Sequence, residues 1–185
     1  MSWYREQLED WLKTRDVQAN IVFDIGGKQG EVKNRVKSWD VNKYEVLDLP
    51  EFDIEKKTLG GSRVSHIATR VNKADIIFCL EVFEYLIDPL AALANIKYML
   101  KPAGKAYITF AFVYPHHNEL DMDSIRFTET GIRRMAKRIG ISLTQIWYRE
   151  DKSGLLQSFY SADGMHPSKE YPHHNVAGFI AEFIK

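Results

Sequence analysis

Residues 21–30, with the sequence IVFDIGGKQG, place an apolar strand, an acid at its tip and a tight glycine turn in that order. The β-branched and aromatic run is typical of a buried strand, and here it ends at Asp24. Glycine has no Cβ and tolerates positive φ, so a turn through Gly26, Gly27 and Gly30 allows a ligand to approach the backbone closely. The stretch therefore predicts a ligand pocket at the end of the first strand.

The composition is that of a globular protein, and its charges balance. The chain has 185 residues, 45% of them hydrophobic, with 25 basic and 25 acidic side chains. This balance gives no reason to expect nucleic acid as a partner. The one cysteine, Cys79, lies in the apolar run DIIFCL, where it is typical of a core residue. No apolar stretch is long enough for a membrane span and no signal peptide is evident, so we expect a cytoplasmic protein.

Short apolar strands alternate with amphipathic helices along the chain, which predicts one α/β domain over residues 1–185. The predicted elements are helix 3–14, strand 20–25, helix 30–39, strands 44–49 and 74–80, helix 88–100, strand 105–112, helix 128–139, and a closing strand pair at 142–149 and 176–184. The first amide groups of helix 30–39 would point at the ligand. Residues 62–70 are compatible with a short helix or an edge strand.

Asp48 is a second acid at a strand tip, because it ends the run YEVLDL 24 positions after Asp24. In doubly wound folds an acid at about this separation lies on the neighbouring strand, where its carboxylate can accept both hydroxyls of a ribose. An aspartate that only caps a strand end is the competing interpretation. The glycines beside Asp24 favour the ligand interpretation for that residue, whereas both stay open for Asp48.

The order of several motifs resembles class I S-adenosylmethionine-dependent methyltransferases. The matching segments are VFDIGGKQG, YEVLDL, ADIIFCLEVFEYLIDP, LKPAGK and YPHHNELDMDSIRFTETGIRRMAKRIGI. Each motif alone is common, and the strength of the resemblance lies in their order between residues 22 and 141. The resemblance implies a doubly wound, mostly parallel Rossmann-like sheet with a C-terminal antiparallel strand, and S-adenosylmethionine as the cofactor.

The resemblance also implies a set of cofactor-binding residues. They are Asp24, Gly26, Gly27, Lys28, Gly30, Asp48, Leu49, Glu81 and Val82. Asp24 and the glycine turn would hold the methionine end, and Asp48 would take the ribose hydroxyls. Leu49 would pack on the adenine, while Glu81 and Val82 would line the sulfonium side.

The chain departs from the family pattern at several positions. Lys28 replaces the middle glycine, where its side chain would either crowd the cofactor or pair with the methionine carboxylate. HIATRVNKAD has no acid in the expected place before the strand at 74–80 that would hold the adenine amino group. Tyr85 replaces the histidine of EVLEHL and Ala103 a glycine of LKPGG. Glu84 is given a structural role, because an acid in the first turn of a helix is favoured by the helix dipole.

The acceptor site is expected beyond the carboxyl ends of the strands, where ligands bind in open α/β sheets. Two connections, 114–124 and 150–175, leave the sheet at that edge if the last two strands are antiparallel. They hold five of the six histidines, namely His116, His117, His166, His173 and His174. His117 is the first candidate for a catalytic base and His116 the second. Their spacing matches no closed zinc pattern, so no metal site is predicted.

The predicted function is methyl transfer from S-adenosylmethionine to a small-molecule acceptor, at a hydroxyl or carboxyl oxygen. The alternative is a non-catalytic relative with a binding or scaffold role, and a nicotinamide oxidoreductase is disfavoured because GGKQG lacks the GxGxxG spacing. The helix within residues 1–18 would either cover the cofactor as a lid or pack against the sheet. The sequence gives no indication of oligomeric state.

Overall fold

The computed structural model describes residues 2–56, 65–115, 123–154, 156 and 175–185. The strands are β1 (Asp16–Ile25), β2 (Ser38–Leu47), β3 (Ala74–Cys79), β4 (Leu100–Ala111), β5 (Ser142–Glu150) and β6 (Val176–Ile184). The helices used below are α1 (Trp3–Leu12), α2 (Ser65–Ala68), α3 (Pro89–Met99) and α4 (Glu129–Ile139). Short 3₁₀ turns cover Gly27–Gln29, Val32–Asn34 and Phe83–Tyr85.

The six strands form one sheet in the order β2-β1-β3-β4-β6-β5. The first four strands run parallel, and β6 lies antiparallel between β4 and β5. The chain leaves β1 towards β2 on one side and later returns to β3 on the other side. The direction of winding therefore changes between β1 and β3, which is where such sheets form a ligand crevice. The predicted doubly wound sheet with an antiparallel C-terminal strand is confirmed.

The carboxyl edge of the sheet also receives the end of β5 and the start of β6. Glu150 pairs with Val176, and Ala111 at the end of β4 pairs with Gly178. The connection between β5 and β6 therefore begins and ends beside the carboxyl end of β4. The sequence analysis placed the connection 150–175 at this edge on the condition that the last two strands are antiparallel. The pairing of β5 with β6 meets that condition.

The connection between β1 and β2 differs from the prediction, because the helix expected over 30–39 is replaced by two 3₁₀ turns and β2 begins at Ser38. The register explains this difference. Asp16 pairs with Ser38 and Ile25 with Leu47, so the chain must return along the whole length of β1. That length is about 30 Å, whereas a helix over residues 26–37 would span only about 18 Å. A more extended path is needed, and no long helix N-terminus faces the glycine turn.

Helices cover both faces of the sheet. On one face, Leu93 and Ile96 of α3 and Ile132 of α4 belong to the larger apolar cluster. On the other face, Leu8 and Leu12 of α1 are fully buried against β1, β3 and β6. Apolar packing thus holds α1 on the sheet, with its N-terminal end towards β5 and the carboxyl edge.

Local signals for the helix boundaries agree with the structure. The Thr128 hydroxyl accepts the N–H of Gly131 at 3.1 Å, so Thr128 is the N-cap of α4, at the start of the predicted helix 128–139. Asp88 caps α3 in the same way through the N–H of Ala91, with Pro89 at the first helical position. The uncertain stretch 62–70 contains α2, so the helical alternative holds there.

Candidate active site

The glycine turn after β1 packs so closely on its neighbours that side chains are excluded at two positions. Gly26 has a φ of 80°, and a Cβ there would lie 2.4 Å from Cγ2 of Val82. A Cβ at Gly27 would lie 2.5 Å from the carboxylate of Asp24. At Gly30, by contrast, a Cβ would meet nothing within 4 Å. The turn is tightly packed on its protein side and borders open space at its end.

Asp24 braces this turn from within the fold. It is 3% exposed, and its Oδ2 accepts the N–H of Val32 at 2.8 Å and the hydroxyl of Tyr44 at 2.5 Å. Burial raises the pKa of the Asp24 carboxyl, while these two donors act to lower it. Burial and the bond to Asp24 likewise raise the pKa of the Tyr44 phenol. The observed role of Asp24 is to hold the turn, and its contact with a methionine end stays a prediction.

Asp48 follows β2 and meets the glycine turn across the crevice. Its Oδ2 accepts the N–H of Lys28 at 3.1 Å, and its Oδ1 accepts the N–H of Leu49 at 2.8 Å. Each carboxylate oxygen has a second lone pair, so Asp48 retains the capacity to accept two further hydrogen bonds. Leu49 is 49% exposed and presents an apolar surface next to this carboxylate. The two residues that the sequence assigned to ribose and adenine are therefore adjacent and accessible.

Lys28 lies in the Gly27–Gln29 turn and does not have positive φ, so its backbone carries no left-handed strain. Its ammonium group donates to the carbonyl of Leu49 at 2.6 Å and pairs with Glu51 at 2.7 Å. The side chain is thus held at the end of β2. Both partners, Leu49 and Glu51, follow β2 and lie outside the glycine turn, whose end at Gly30 borders open space.

The segment after β3 forms the opposite wall of the crevice. Val82 contacts the turn at Gly26, as described above. Glu81 has a φ of 57°, in the left-handed region that a residue with a Cβ rarely adopts. Its N–H donates to the Thr109 hydroxyl at 2.6 Å, and Thr109 is 1% exposed on β4. Surrounding hydrogen bonds therefore hold Glu81 in a strained conformation, which is common at functional sites.

Arg149 at the end of β5 joins Glu81 to α1, and the sequence analysis missed it. Arg149 is 1% exposed, and its Nη1 donates to Oε1 of Glu81 at 2.6 Å. Its Nε and Nη2 donate to the carbonyl oxygen of Tyr4 at 3.1 and 2.7 Å. Its guanidinium also lies 3.3 Å from the centre of the Tyr4 ring. The only signal in the sequence was an arginine at the carboxyl end of a strand.

Glu84 lies deeper in the same region, and its structural role stays a prediction. It is the acid in the first turn of the three-residue 3₁₀ turn Phe83–Tyr85, whereas the longer helix α3 begins only at Pro89. Glu84 is 3% exposed, and its Oε2 has no hydrogen-bond partner among the residues that the structure describes. Burial, with the nearby charge of Glu81, raises its pKa to about 8.

The predicted bases His116 and His117 lie outside the described residues, as do His166, His173 and His174. Near the start of α4, Arg126 pairs with Asp123 at 2.5 and 2.8 Å. It also donates to the carbonyl of Tyr114, so Arg126 joins the start of α4 to the chain that follows β4. In the described ranges, no group of three or more histidine, cysteine or acidic side chains could hold a metal ion.

Comparison with known proteins identifies the family. The profile of a family described as a methyltransferase domain matches residues 2–166. The chain belongs to this family. Membership confirms the resemblance to class I methyltransferases, and the methyltransferase domain is that of an S-adenosylmethionine-dependent enzyme with S-adenosylmethionine as its cofactor. None of the helices among the described residues has the length and apolar character needed to span a membrane.

One curated relative matches a short part of the methyltransferase domain. It is the ubiquinone biosynthesis O-methyltransferase of Haemophilus ducreyi, 31% identical over 55 residues, or 30% of this chain. The match covers 23% of that relative, about a quarter of its length. It does not extend over enough of either protein to define a shared acceptor.

Solved structures share the fold of the methyltransferase domain. An S-adenosylmethionine-dependent methyltransferase from Mesorhizobium loti has a TM-score of 0.61 and 10% identity, over 98% of both chains. A chain of the complex between the Haloferax volcanii Trm112 methyltransferase activator and a methyltransferase has a TM-score of 0.62 and 13% identity, over 98% of this chain and 89% of that one. These similarities confirm the Rossmann-like fold.

The residues around the crevice of the methyltransferase domain suit S-adenosylmethionine. The turn beside Gly30 is open, and its packed side at Gly26 leaves room only for backbone. Asp48 offers acceptor oxygens for a ribose, with the exposed Leu49 beside it. A carboxylate for the adenine amino group is absent from residues 65–73, as the sequence indicated, so adenine recognition there would use backbone groups.

Proposed function

We propose that this protein binds S-adenosylmethionine across the ends of β1, β2 and β3 and transfers its methyl group to an oxygen of a small molecule. The main support is the close approach of Gly26 to Val82, at 2.4 Å for an added Cβ, because it joins the glycine turn to the wall after β3. Asp48 and Leu49 adjoin the same turn. An oxygen acceptor is favoured by the short match to an O-methyltransferase.

Within this proposal, each group of residues has a distinct task. The bound cofactor supplies a methyl group that its positive sulfur has already activated. Asp48 accepts hydrogen bonds from the ribose hydroxyls and Leu49 packs on the adenine. Glu81 and Val82 border the sulfonium, where they orient it and exclude water. Asp24 acts indirectly, because it holds the turn that carries Gly26 and Gly27.

A hydroxyl acceptor loses its proton as its oxygen bonds to the methyl carbon, while the carbon–sulfur bond breaks and its electron pair stays on sulfur. A side chain with a pKa near neutrality assists that proton loss. His117 is the first histidine candidate for this task and His116 the second. A carboxylate acceptor would not need a base.

The test is isothermal titration of the protein with S-adenosylmethionine and S-adenosylhomocysteine. We expect both to bind, and Asp48→Asn to weaken both about tenfold or more, because a charged acceptor of the ribose hydroxyls is lost. Asp40→Asn, which changes an acid on β2 away from the crevice, is the matched control and should leave both affinities unchanged. Absence of binding at millimolar ligand would refute the proposal and favour a non-catalytic scaffold role.

The base is tested separately once an acceptor is in hand. His117→Ala should lower the rate of transfer to a hydroxyl acceptor while cofactor affinity is preserved. An unchanged rate with both His117→Ala and His116→Ala would remove the histidines from the mechanism.

A further inference from the structure

Two buried polar atoms near the end of β3 have no hydrogen-bond partner within the described part of the chain. They are Oε2 of Glu84 and the hydroxyl of Tyr4, whose residues are 3% and 2% exposed. The Tyr4 hydroxyl is accommodated by Gly178, where an added Cβ would lie 2.3 Å from it. An unsatisfied buried polar atom is unfavourable, so its retention calls for an explanation such as a ligand that completes its bonding.

The charges around Glu84 are already paired with one another. Arg149 binds Glu81 and Arg126 binds Asp123, so neither arginine is left to neutralise Glu84. The titratable and charged groups that act on this region from the surrounding elements are Tyr4, Cys79, Glu81, Tyr85, Tyr114, Asp123, Arg126 and Arg149. In such surroundings Glu84 is more stable with its proton than as a carboxylate, and its pKa is raised accordingly.

We propose that Glu84 is the proton acceptor of the active site, and that the positive charge of the bound cofactor converts it to the carboxylate. This inference rests on the proposed function, because it takes the sulfonium to lie beside Glu81 and Val82. Glu84 is two residues beyond Val82 in the chain, in the 3₁₀ turn that follows β3. The backbone carbonyl of Glu84 accepts the N–H groups of Ser124 and Ile125, which ties it to the predicted acceptor loop.

The mechanism follows from charge balance. The sulfonium brings the first unpaired cation to the cluster of Glu81 and Glu84, and a nearby cation lowers the pKa of a carboxyl group. Glu84 then releases its proton to solvent as the cofactor binds. The resulting carboxylate can take the proton of a hydroxyl acceptor, and Tyr4 can donate a hydrogen bond to the same oxygen. The product S-adenosylhomocysteine has a neutral sulfur, so Glu84 keeps the proton that it took from the acceptor and returns to its starting state.

Proton release on cofactor binding tests this inference without any acceptor. The heat of binding is measured at pH 7.0 in phosphate and in Tris, whose ionisation enthalpies differ, for S-adenosylmethionine and for S-adenosylhomocysteine. A group with a pKa of about 8 holds about 0.9 proton at this pH. We expect S-adenosylmethionine to release about 0.5 to 0.9 proton more than S-adenosylhomocysteine. The sulfonium lowers the pKa of the amino group of S-adenosylmethionine relative to that of S-adenosylhomocysteine, so the part of the difference that comes from Glu84 is isolated by comparison with Glu84→Gln.

The variant and the pH dependence identify the group that releases the proton. Glu84→Gln should abolish the part of the difference between the two ligands that comes from Glu84, whereas Glu182→Gln, which changes a partly buried acid on β6, should preserve it. In the unmodified protein the difference should disappear above pH 9, where Glu84 is already ionised, so the test does not depend on the variant's folding. Equal proton release by both ligands, or a difference that survives undiminished in Glu84→Gln, would overturn the inference. Failure of both ligands to bind would instead refute the proposed function.

Discussion

Replacement of Arg149 by methionine is expected to destabilise the protein strongly, because its guanidinium is the centre of a buried network. The change removes the bond to Glu81, both bonds to the Tyr4 carbonyl and the contact with the Tyr4 ring. Loss of one partner from a buried ion pair costs about 3–5 kcal/mol. The side chain of Glu81 is 23% exposed and can regain some contact with water, which reduces the loss. We expect Arg149→Met to lower the free energy of unfolding by about 4 kcal/mol.

The assay is urea unfolding followed by tryptophan fluorescence, with Trp11 of α1 packed against Trp147 of β5 as a local reporter. Glu81→Gln and the double variant complete a thermodynamic cycle. The double variant should be little less stable than Arg149→Met, because removal of the second charge relieves the unpaired carboxylate. Arg133→Met is the control, since Arg133 is 56% exposed and its pair with Glu129 contributes less than about 1 kcal/mol. A loss below about 1 kcal/mol for Arg149→Met, or additive effects in the cycle, would show that the network is not coupled.

Three further predictions concern single positions. Glu84 has a pKa of about 8 in the folded protein and an ordinary pKa of 4.5 in the unfolded chain. Between pH 4.5 and pH 8 the folded protein therefore holds a proton that the unfolded chain has released, so the contribution of Glu84 to stability falls as the pH rises through this range. Relative to Glu84→Gln, the unmodified protein should lose about 2 kcal/mol between pH 6.0 and 7.5 in urea titrations, and parallel pH profiles would disprove this. Ala103 has a φ of 61°, so Ala103→Gly should raise stability by about 0.5–1 kcal/mol in thermal unfolding, and a lower melting temperature would count against it. Gly26→Ala should destabilise the protein by about 2–3 kcal/mol, because the new Cβ meets Val82 and the backbone has positive φ. Combined with Val82→Ala, the cost of Gly26→Ala should fall to about 1 kcal/mol, the penalty of positive φ alone. The steric explanation is contradicted if Val82→Ala does not reduce the cost.

The inner strands β1, β3 and β6 were predictable because burial on both faces leaves a local signature. The apolar runs that end at Asp24 and Cys79 correspond to β1 and β3, and residues 142–149 and 176–184 to β5 and β6. The helix over 30–39 failed for a reason that is not local. The register of β2 on β1 decides how far the connection must reach, and this register is a property of the sheet.

The same distinction between local and non-local signals applies to the candidate site. The separation of Asp48 from Asp24, and the family resemblance in the case of Leu49 and Val82, pointed to residues that follow strands, and strand ends meet at one edge of a parallel sheet. It could not locate Arg149, which meets Glu81 across a separation of 68 residues. Burial, not residue type, determines the chemistry of such groups, and burial depends on elements that are distant in sequence.

The short connection after β1 also explains why a lysine is compatible with the glycine turn. In a turn followed directly by a long helix, the middle position is constrained by the close approach of helix, turn and ligand. Here a 3₁₀ turn takes the place of that helix, and Lys28 adopts it without positive φ. Its ammonium is held at the end of β2 by the Leu49 carbonyl and by Glu51, whose pair with Lys28 is exposed to solvent. Such a pair contributes less than about 1 kcal/mol, so a ligand at this edge can displace it at little cost.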